Sequence, residues 1–425
     1  MKNWKQIKTL LVGGAVRDYL MNIPPSDEDL MVLEQTTASM IELGFKRVGK
    51  SPTCPVFIHP NDKHRREHAL PRSEQSTGKG HKDFSFTTED VTVHKDLSRR
   101  DFTINAMAAC FGPDGKPSHI EDPFGGQRDI ENKILRHVGP AFIEDPLRVL
   151  RAARFAARFN FDIAPYTVAL CKDMCRNGSL ASLPGERILL ELNKAINSCR
   201  RPSLFFDNLI KLGALRIVFP EIAAMLGVEQ PQKHHIEGDV YTHTMMALDH
   251  ARSKCLVTPV CLAVLFHDIG KTLTPPSEWP SHHNHCDANA QAAMAETSKR
   301  LRMDNRTATL CMDAVKFHMK MHKFNEMTPG KIAKMFREIK VKQDTFRACL
   351  LRKVLESDMA GRIPLQTSDI SDTWGSLVAK FHNHKIKIPN DKQYSTIAKK
   401  NIALQQEVDC IKKALTSINR RKDIK

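Results

Sequence analysis

LLVGGAVRDYLMNIPPSDEDLMVL, Leu10 to Leu33, packs four unlike features into one short stretch. An apolar run stops at Gly13-Gly14, a charged turn follows, and Asp27 and Asp29 alternate into a second apolar run. Leu10 to Val12 predicts a strand, and Ala15 begins a predicted helix. Glycines at such a junction let a phosphate approach the backbone, and the N–H groups of the helix start point outward. Arg17, one turn in, has the reach of a triphosphate. Residues two apart on a strand share a face, so Asp27 and Asp29 converge, with LMVL behind them as a buried strand. Two ionised carboxylates on one face repel unless a cation joins them; Mg²⁺ held by one or two carboxylates and substrate phosphates is the expected arrangement. Taken alone, the glycine pair also fits a turn that merely packs, and PPSDEDL a solvated acidic turn. Their spacing together favours a site.

The chain has 425 residues, 41% hydrophobic and 26% charged, without a low-complexity tract, which is enough for two to four globular units. Its formal net charge of +16 points to a polyanionic partner, with a solvated basic surface as the plainer alternative. The eleven cysteines contain no CxxC pair, which excludes a zinc ribbon or disulfide framework and fits a reduced, cytosolic protein. The basic, apolar start MKNWKQIKTLLVGGAV is too short and glycine-broken for a signal peptide, and no stretch has the length of a membrane span.

LVGGAVRDYL followed by SDEDLMVL resembles the head of the class II nucleotidyltransferases, the tRNA CCA-adding enzymes and the bacterial poly(A) polymerases. The resemblance implies catalytic Mg²⁺ on Asp27 and Asp29, and Gly14 and Arg17 at the phosphates of the incoming nucleotide. Three more stretches match in order. DLSRRDFTINAMA (Asp96 to Ala108) has a double Arg before Asp and then a predicted amphipathic helix start; the resemblance implies Arg100 on nucleotide phosphate and Asp101 on the sugar side. EDPFGGQRDI (Glu121 to Ile130) resembles the closing segment of the head. EDPLRVLRAARFAARF (Glu144 to Phe159) resembles the neck helix that selects the base. The family's Arg-x-Glu strand falls on Arg72 and Glu74, but Pro71 removes a ladder donor there, so no third carboxylate is assigned. QSTGKGHKDF (Gln75 to Phe84) reads as a mobile loop near primer or nucleotide.

The neck follows from spacing as well. At about 100° per residue, Asp145, Arg148, Arg151, Arg154 and Arg158 share half the helix circumference, and Val149, Leu150, Ala153, Ala156 and Ala157 cover the other half. Such arginines repel one another unless a polyanion or a base edge meets them; a solvated basic face with ion pairs is the plainer alternative. An Asp acceptor and an Arg donor one turn apart match the pairing edge of cytosine or adenine, the role the resemblance implies for Asp145 and Arg148. Arg151 and Arg154 are assigned to the nucleotide or the tRNA end. GERILLELNKAI (Gly185 to Ile196) and NLIKLGALRIVFPEI (Asn208 to Ile222) predict core helices without chemistry.

Beyond Gly227 histidines accumulate. YTHTMMALDHA (Tyr241 to Ala251) and LAVLFHDIGKTLTPP (Leu262 to Pro276) predict two helices, and LESDMAGR places Asp358 on a later one. His…His-Asp…Asp on three helices resembles the ligand set of the HD phosphohydrolase superfamily. It implies His243, His267, Asp268 and Asp358 around a divalent transition metal (Ni²⁺, Mn²⁺ or Co²⁺), with positions open to water and phosphate. His282, His283 and His285 in PSHHNHC, and His318 and His322 in KFHMKMHKF, either line this cleft or are ordinary loop and helix residues.

The succession runs to about residue 360 and resembles CCA-adding enzymes with an appended HD domain. The implied class is α+β: a small mixed-sheet head (1–137), then an all-α neck and body (138–225), an HD domain (226–362) and a basic helical tail (363–425). The implied reaction adds C, C and A to tRNA 3′ ends from CTP and ATP without a nucleic-acid template, beside an HD phosphatase, 2′,3′-cyclic phosphodiesterase or 2′-nucleotidase activity. A bacterial poly(A) polymerase, an enzyme adding only CC or only A, and an HD phosphohydrolase with an RNA-binding head are the alternatives. The implied partners are tRNA, ATP and CTP, in the cytoplasm and away from membranes, for a monomer or homodimer.

Overall fold

The computed structural model describes residues 6–48, 55–76, 84–88, 90–112, 116–233, 235–362, 370–388 and 394–422. The chain forms two compact units, Met1–Leu183 with Asp207–Ile217, and Pro184–Phe206 with Val218–Lys425.

The first unit is built on a mixed sheet. Its strands are β1 (Thr9–Val12), β2 (Asp29–Val32), β3 (Lys46–Val48), β4 (Val56–Ile58), β5 (Glu67–Ala69), β8 (Ala108–Phe111) and β9 (Pro117–Glu121) in the order β3-β4-β5-β2-β1-β8-β9. A separate hairpin joins β6 (Ser73–Ser76) to β7 (Phe84–Thr87). Neighbours run antiparallel except β2 and β5, which run parallel. The period of two sorts β1 and β2 into both faces: Leu10, Val12 and Met31 pack with Leu97 and Ala108, while Leu11 and Leu30 pack with Val16 and Met107. A strand buried on both faces is continuously apolar, and LLV and LMV are.

Some local expectations are corrected. FTINAMA does not start an amphipathic helix: Thr103–Asn105 is one 3₁₀ turn leading into β8, because Phe102, Ile104 and Met107 are all buried and no polar face is left for solvent. Pro71 lies between β5 and β6, so no ladder bond is lost there. The neck helix spans Leu147–Phe159, which leaves Asp145 ahead of it, accepting from Leu147 N at 3.1 Å. Most of the expected mobile loop, 77–83, lies outside the described residues.

The second unit is helical. Val240–Ser253, Asn305–His322 and Thr345–Ala360 each start on an aspartate (Asp239, Asp304 and Asp344) whose carboxylate accepts helix N–H groups. Between them Thr258–Phe266 is buried from Val260 to Phe266, the apolar rod on which the other helices close. Among the described residues no helix is long and apolar enough to cross a membrane.

Candidate active sites

The first centre lies where β1 ends. Gly13 has φ +74°, and a Cβ there would sit 2.5 Å from Arg100 Nη1, so the guanidinium rests against bare backbone. Asp27 and Asp29 open onto a cleft of about 970 Å³ shared with Arg66 and Glu67. Desolvation pushes the Asp29 carboxyl up, Arg100 pulls it down, and the Asp27 charge adds to the rise. The parallel pairing sets Glu67 opposite Asp29, a third carboxylate on the same wall. Sequence reasoning missed Glu67 because only the β2–β5 register joins it to the motif; its sole signal is an acid opening the short strand EHA. A set of carboxylate oxygens without sulfur or imidazole suits a hard cation such as Mg²⁺.

Arg17 is not at the cleft surface. Its Nε and Nη2 donate to Asp18 Oδ1 at 2.8 and 2.6 Å, and Nη1 to Asn105 Oδ1 at 2.5 Å. The guanidinium lies 4.7 Å from the Phe159 ring centre and 5.3 Å from that of Phe155. Asn105, quoted within DLSRRDFTINAMA but given no role there, links two of the candidates, since its Nδ2 donates to Asp101 Oδ1 at 3.0 Å. Asp101 is buried and takes Arg151 Nε at 2.7 Å; burial would raise its carboxyl, but Arg151 holds it below the usual range. Asp96 gathers Arg99 Nη2 at 2.7 Å, Arg100 Nη2 at 3.1 Å and Arg72 N at 3.1 Å. Burial opposes its ionisation too, and Arg100 and Arg99 win.

The neck arginines therefore find counter-charges inside this unit. Arg158 Nη2 is 3.7 Å from Asp18 Oδ2, and the buried Arg154 lies 4.1 Å from the Phe155 ring centre. Arg148 donates to Ala141 O at 2.7 Å and Arg99 O at 2.6 Å. Arg17, Asp101 and Arg151 thus form one network with Asn105, with Gly14 close against the Arg17 guanidinium, whereas Asp27 and Asp29 line the cleft. Asp145 and Arg148 stand at the start of the neck.

The second centre assembles the four predicted residues from three elements. His243 Nδ1 lies 3.1 Å from Glu237 Oε1 and 3.3 Å from Gly361 O, both acceptors, so its Nε2 lone pair faces Asp358 Oδ1 at 3.1 Å. His267 Nδ1 meets Val264 O at 2.7 Å. Its Nε2 is buried without a hydrogen bond, 3.2 Å from Asp268 Oδ2 and 3.7 Å from Asp358 Oδ1. Imidazole nitrogens and carboxylate oxygens converging in this way are a donor set that suits a transition metal. Glu237, absent from the sequence reading, is the carboxylate that fixes the orientation of the His243 ring.

His318 and His322 both join this centre, at 3.2 Å from Asp268 Oδ1 and 2.6 Å from Asp358 Oδ2. His282 turns away to Glu229 O at 2.7 Å, and His283 is exposed. His285 is brought in because a Cβ on Gly270 would collide with the His285 carbonyl and sit 2.6 Å from Ala290 Cβ, so only glycine lets the HDIGK turn close. Lys271 Nζ reaches Asp268 Oδ2 at 2.6 Å. Burial would raise both carboxyls, yet His267 and Lys271 hold Asp268, and His322 and His267 hold Asp358, well below the usual range. The Cys286 thiol, raised by burial, is pulled to about 6 by His318 and His285.

Residues 9–136 match the model of the poly(A) polymerase head domain, and 160–226 that of a probable RNA- and SrmB-binding site of polymerase A. The multifunctional CCA protein of Nitrosospira multiformis is 41% identical over 334 residues, 78% of each chain. A CCA-adding enzyme in an apo form shares the fold at 19% identity and TM-score 0.62, covering 96% of this chain and 91% of that one. The Thermotoga maritima CCA-adding enzyme, solved in complex with tRNA, does so at 18% identity and TM-score 0.58, over 96% and 91%. By this identity and coverage the chain belongs to the multifunctional CCA protein family of CCA-adding tRNA nucleotidyltransferases.

Proposed function

We propose that the first unit adds C, C and A to the 3′ end of tRNA from CTP and ATP, and that the histidine-aspartate centre of the second hydrolyses phosphate esters. Asp27 and Asp29 on one cleft wall, in a chain of this family, carry the first reading. They would hold Mg²⁺, with Glu67 beside them. Bound there, the ion supplies charge neutralisation for the triphosphate and acidity for the attacking 3′-hydroxyl. Arg100, lying on the bare backbone of Gly13, offers its guanidinium to phosphate at the strand–helix turn. Arg17 holds that turn from beneath through Asp18 and Asn105 and acts by positioning it. Asp145 and Arg148 offer an acceptor and a donor to the base, Arg148 exchanging the Ala141 and Arg99 carbonyls for the base edge.

Extension of a tRNA transcript lacking its 3′ CCA, with Mg²⁺ and labelled CTP and ATP singly and mixed, tests this. Addition of C, C and A followed by a stop is the expected result. A long run of A, or only CC or only A, would replace it with one of the alternative polymerases.

His243, His267, Asp268 and Asp358 fit a divalent transition metal, which when bound supplies an activated water for phosphoester hydrolysis. Lys271 and Arg362 add positive charge beside the two carboxylates, where a phosphate would lie. Hydrolysis of p-nitrophenyl phosphate and of a 2′,3′-cyclic nucleotide with Ni²⁺, Mn²⁺ or Co²⁺ should be lost in His267→Ala; retention there would sink this second activity.

A further inference from the structure

Glu28 stands between the two cleft aspartates and faces the other way. Alternation puts it with Leu30, on the face where Leu11, Val16 and Tyr19 pack, while Asp29 shares its face with Met31 and Leu10. On that rear face Tyr19, from the helix Gly14–Leu20, donates its Oη to Glu28 Oε1 at 2.8 Å. The bond raises the phenol, with burial and the Glu28 charge adding to the rise, so Tyr19 stays a donor at neutral pH. Arg66 Nη1 lies 4.0 Å from Glu28 Oε2. Arg66 is itself aimed by the buried Asp62, whose Oδ2 accepts from its main-chain N and its Nε, both at 3.1 Å. A single line, Asp62–Arg66–Glu28–Tyr19, therefore runs behind the wall from the start of β5 to the first helix.

The strain this line resists lies in front of it. Asp27, Asp29 and Glu67 set three carboxylates on one wall, and desolvation and the Asp27 charge both push the Asp29 carboxyl up. Like charges drive the loop before β2 outward until a cation joins them. Residues 24–27 make no main-chain hydrogen bond among the described residues, and Ser26 and Asp27 are exposed, so the Glu28 side chain fastens the far end of this loop. We propose that Tyr19 and Glu28 are positioning residues for nucleotide addition: with Arg66 and Asp62 they hold Asp27 and Asp29 at cation-binding separation before the ion arrives. The inference rests on the assignment of Mg²⁺ to those aspartates. Both residues face away from the wall, so they act on its affinity for Mg²⁺ rather than on the transfer step. Binding to a wall already in place carries little ordering cost.

Hydrogen exchange of amides 26–29 at short labelling times, across a Mg²⁺ titration of the full chain, tests this without turnover, and the Mg²⁺ dependence of CTP addition accompanies it. In the unaltered chain Mg²⁺ should slow exchange at these amides. Tyr19→Phe, which deletes one oxygen, should exchange faster without metal. It should need about tenfold more Mg²⁺ for protection and for half-maximal addition, the low end of what partners behind metal ligands contribute. Its kcat at saturating Mg²⁺ and its KM for tRNA should match the unaltered chain. Glu28→Gln keeps an acceptor for the phenol and should stay close to the unaltered chain, whereas Glu28→Ala should behave as Tyr19→Phe does. Unchanged exchange and unchanged Mg²⁺ dependence in Tyr19→Phe would overturn the proposal. So would equal losses in Glu28→Gln and Glu28→Ala, which would make Glu28 a charge that attracts the cation. A fall in kcat at saturating Mg²⁺ with the same Mg²⁺ dependence would overturn it as well, marking ordinary packing. Absence of Mg²⁺ protection in the unaltered chain would remove the ion and the proposal with it. If that chain shows protection but adds no nucleotide, the nucleotide-addition reading falls, and exchange in the variants alone decides whether the brace stands.

Discussion

Asp96 shows how one buried carboxylate can aim an arginine: it takes Arg99, Arg100 and the Arg72 amide at once and so fixes where Arg100 points. Asp96→Asn should destabilise the protein by about 1–3 kcal/mol in denaturant melts, the cost of removing a buried acceptor from two partly exposed arginines. Because the folded pKa of Asp96 is depressed, its contribution is fully present above the unfolded value near 4 and disappears as pH falls through the folded value. The stability gap between the native chain and Asp96→Asn should therefore be flat from about pH 5 upward and narrow below about pH 4. Asp29→Ala should cut nucleotide addition by about 10²–10³-fold or more while hydrolysis at the other centre persists, each followed by its own assay. If both activities fell together, two independent sites would be the wrong picture. Asp27 and Asp29 were legible because a period of two is a local rule. Glu67 was not, since its place beside Asp29 depends on a strand register that no neighbouring residue announces. The burial of Arg17 was not legible either, because its cover comes from Asn105 and Phe159, far along the chain.

At the scale of elements, helical periodicity located the neck but misjudged its surroundings. A face of arginines looks solvent-bound when only the helix is considered, yet Asp101 and Asp18 receive Arg151 and Arg158, and the helix's own Phe155 and Phe159 rings lie against Arg154 and Arg158. The FTINAMA stretch failed for a related reason: its apolar residues are buried all round, and burial removes the polar face on which a helix pattern depends. The HDIGK turn was placed correctly by its apolar run and following glycine. What the sequence could not supply was that Gly270 is pressed against the His285 carbonyl. Gly270→Ala should displace that segment at a cost of about 1–3 kcal/mol and reduce phosphoester hydrolysis at least tenfold, with CCA addition unchanged. Equal hydrolysis in the variant and the native chain would show that the close approach has no bearing on the centre.

For the whole molecule, two centres with different ligand chemistry should respond separately to metal. After EDTA treatment, Mg²⁺ alone should restore nucleotide addition, whereas ester hydrolysis should return only with Ni²⁺, Mn²⁺ or Co²⁺; recovery of both with Mg²⁺ would contradict the ligand reading. The charge of +16 predicts a second separation. Raising salt from about 50 to 200 mM should raise the KM for tRNA at least tenfold and barely change hydrolysis of a small ester, because only the long polyanion releases many counterions. Composition pointed to that partner class, and motif order placed the sheet-bearing part of the chain ahead of the helical part. The sequence could not show that residues 207–217 return to the first unit, because their apolar helical pattern serves a core on either side. The position of Arg17 has a consequence for synthesis. Besides the adjacent Asp18, its partners are Asn105, Phe155 and Phe159, and β1 beside it pairs with β8. The opening motif must leave the ribosome long before its seat exists, so it waits roughly 10–30 s of translation for the neck to arrive. Through that interval the LLVGGAV segment is exposed apolar chain, with Arg17 and Asp18 hydrated beside it, and it is there that a nascent-chain chaperone would have work to do.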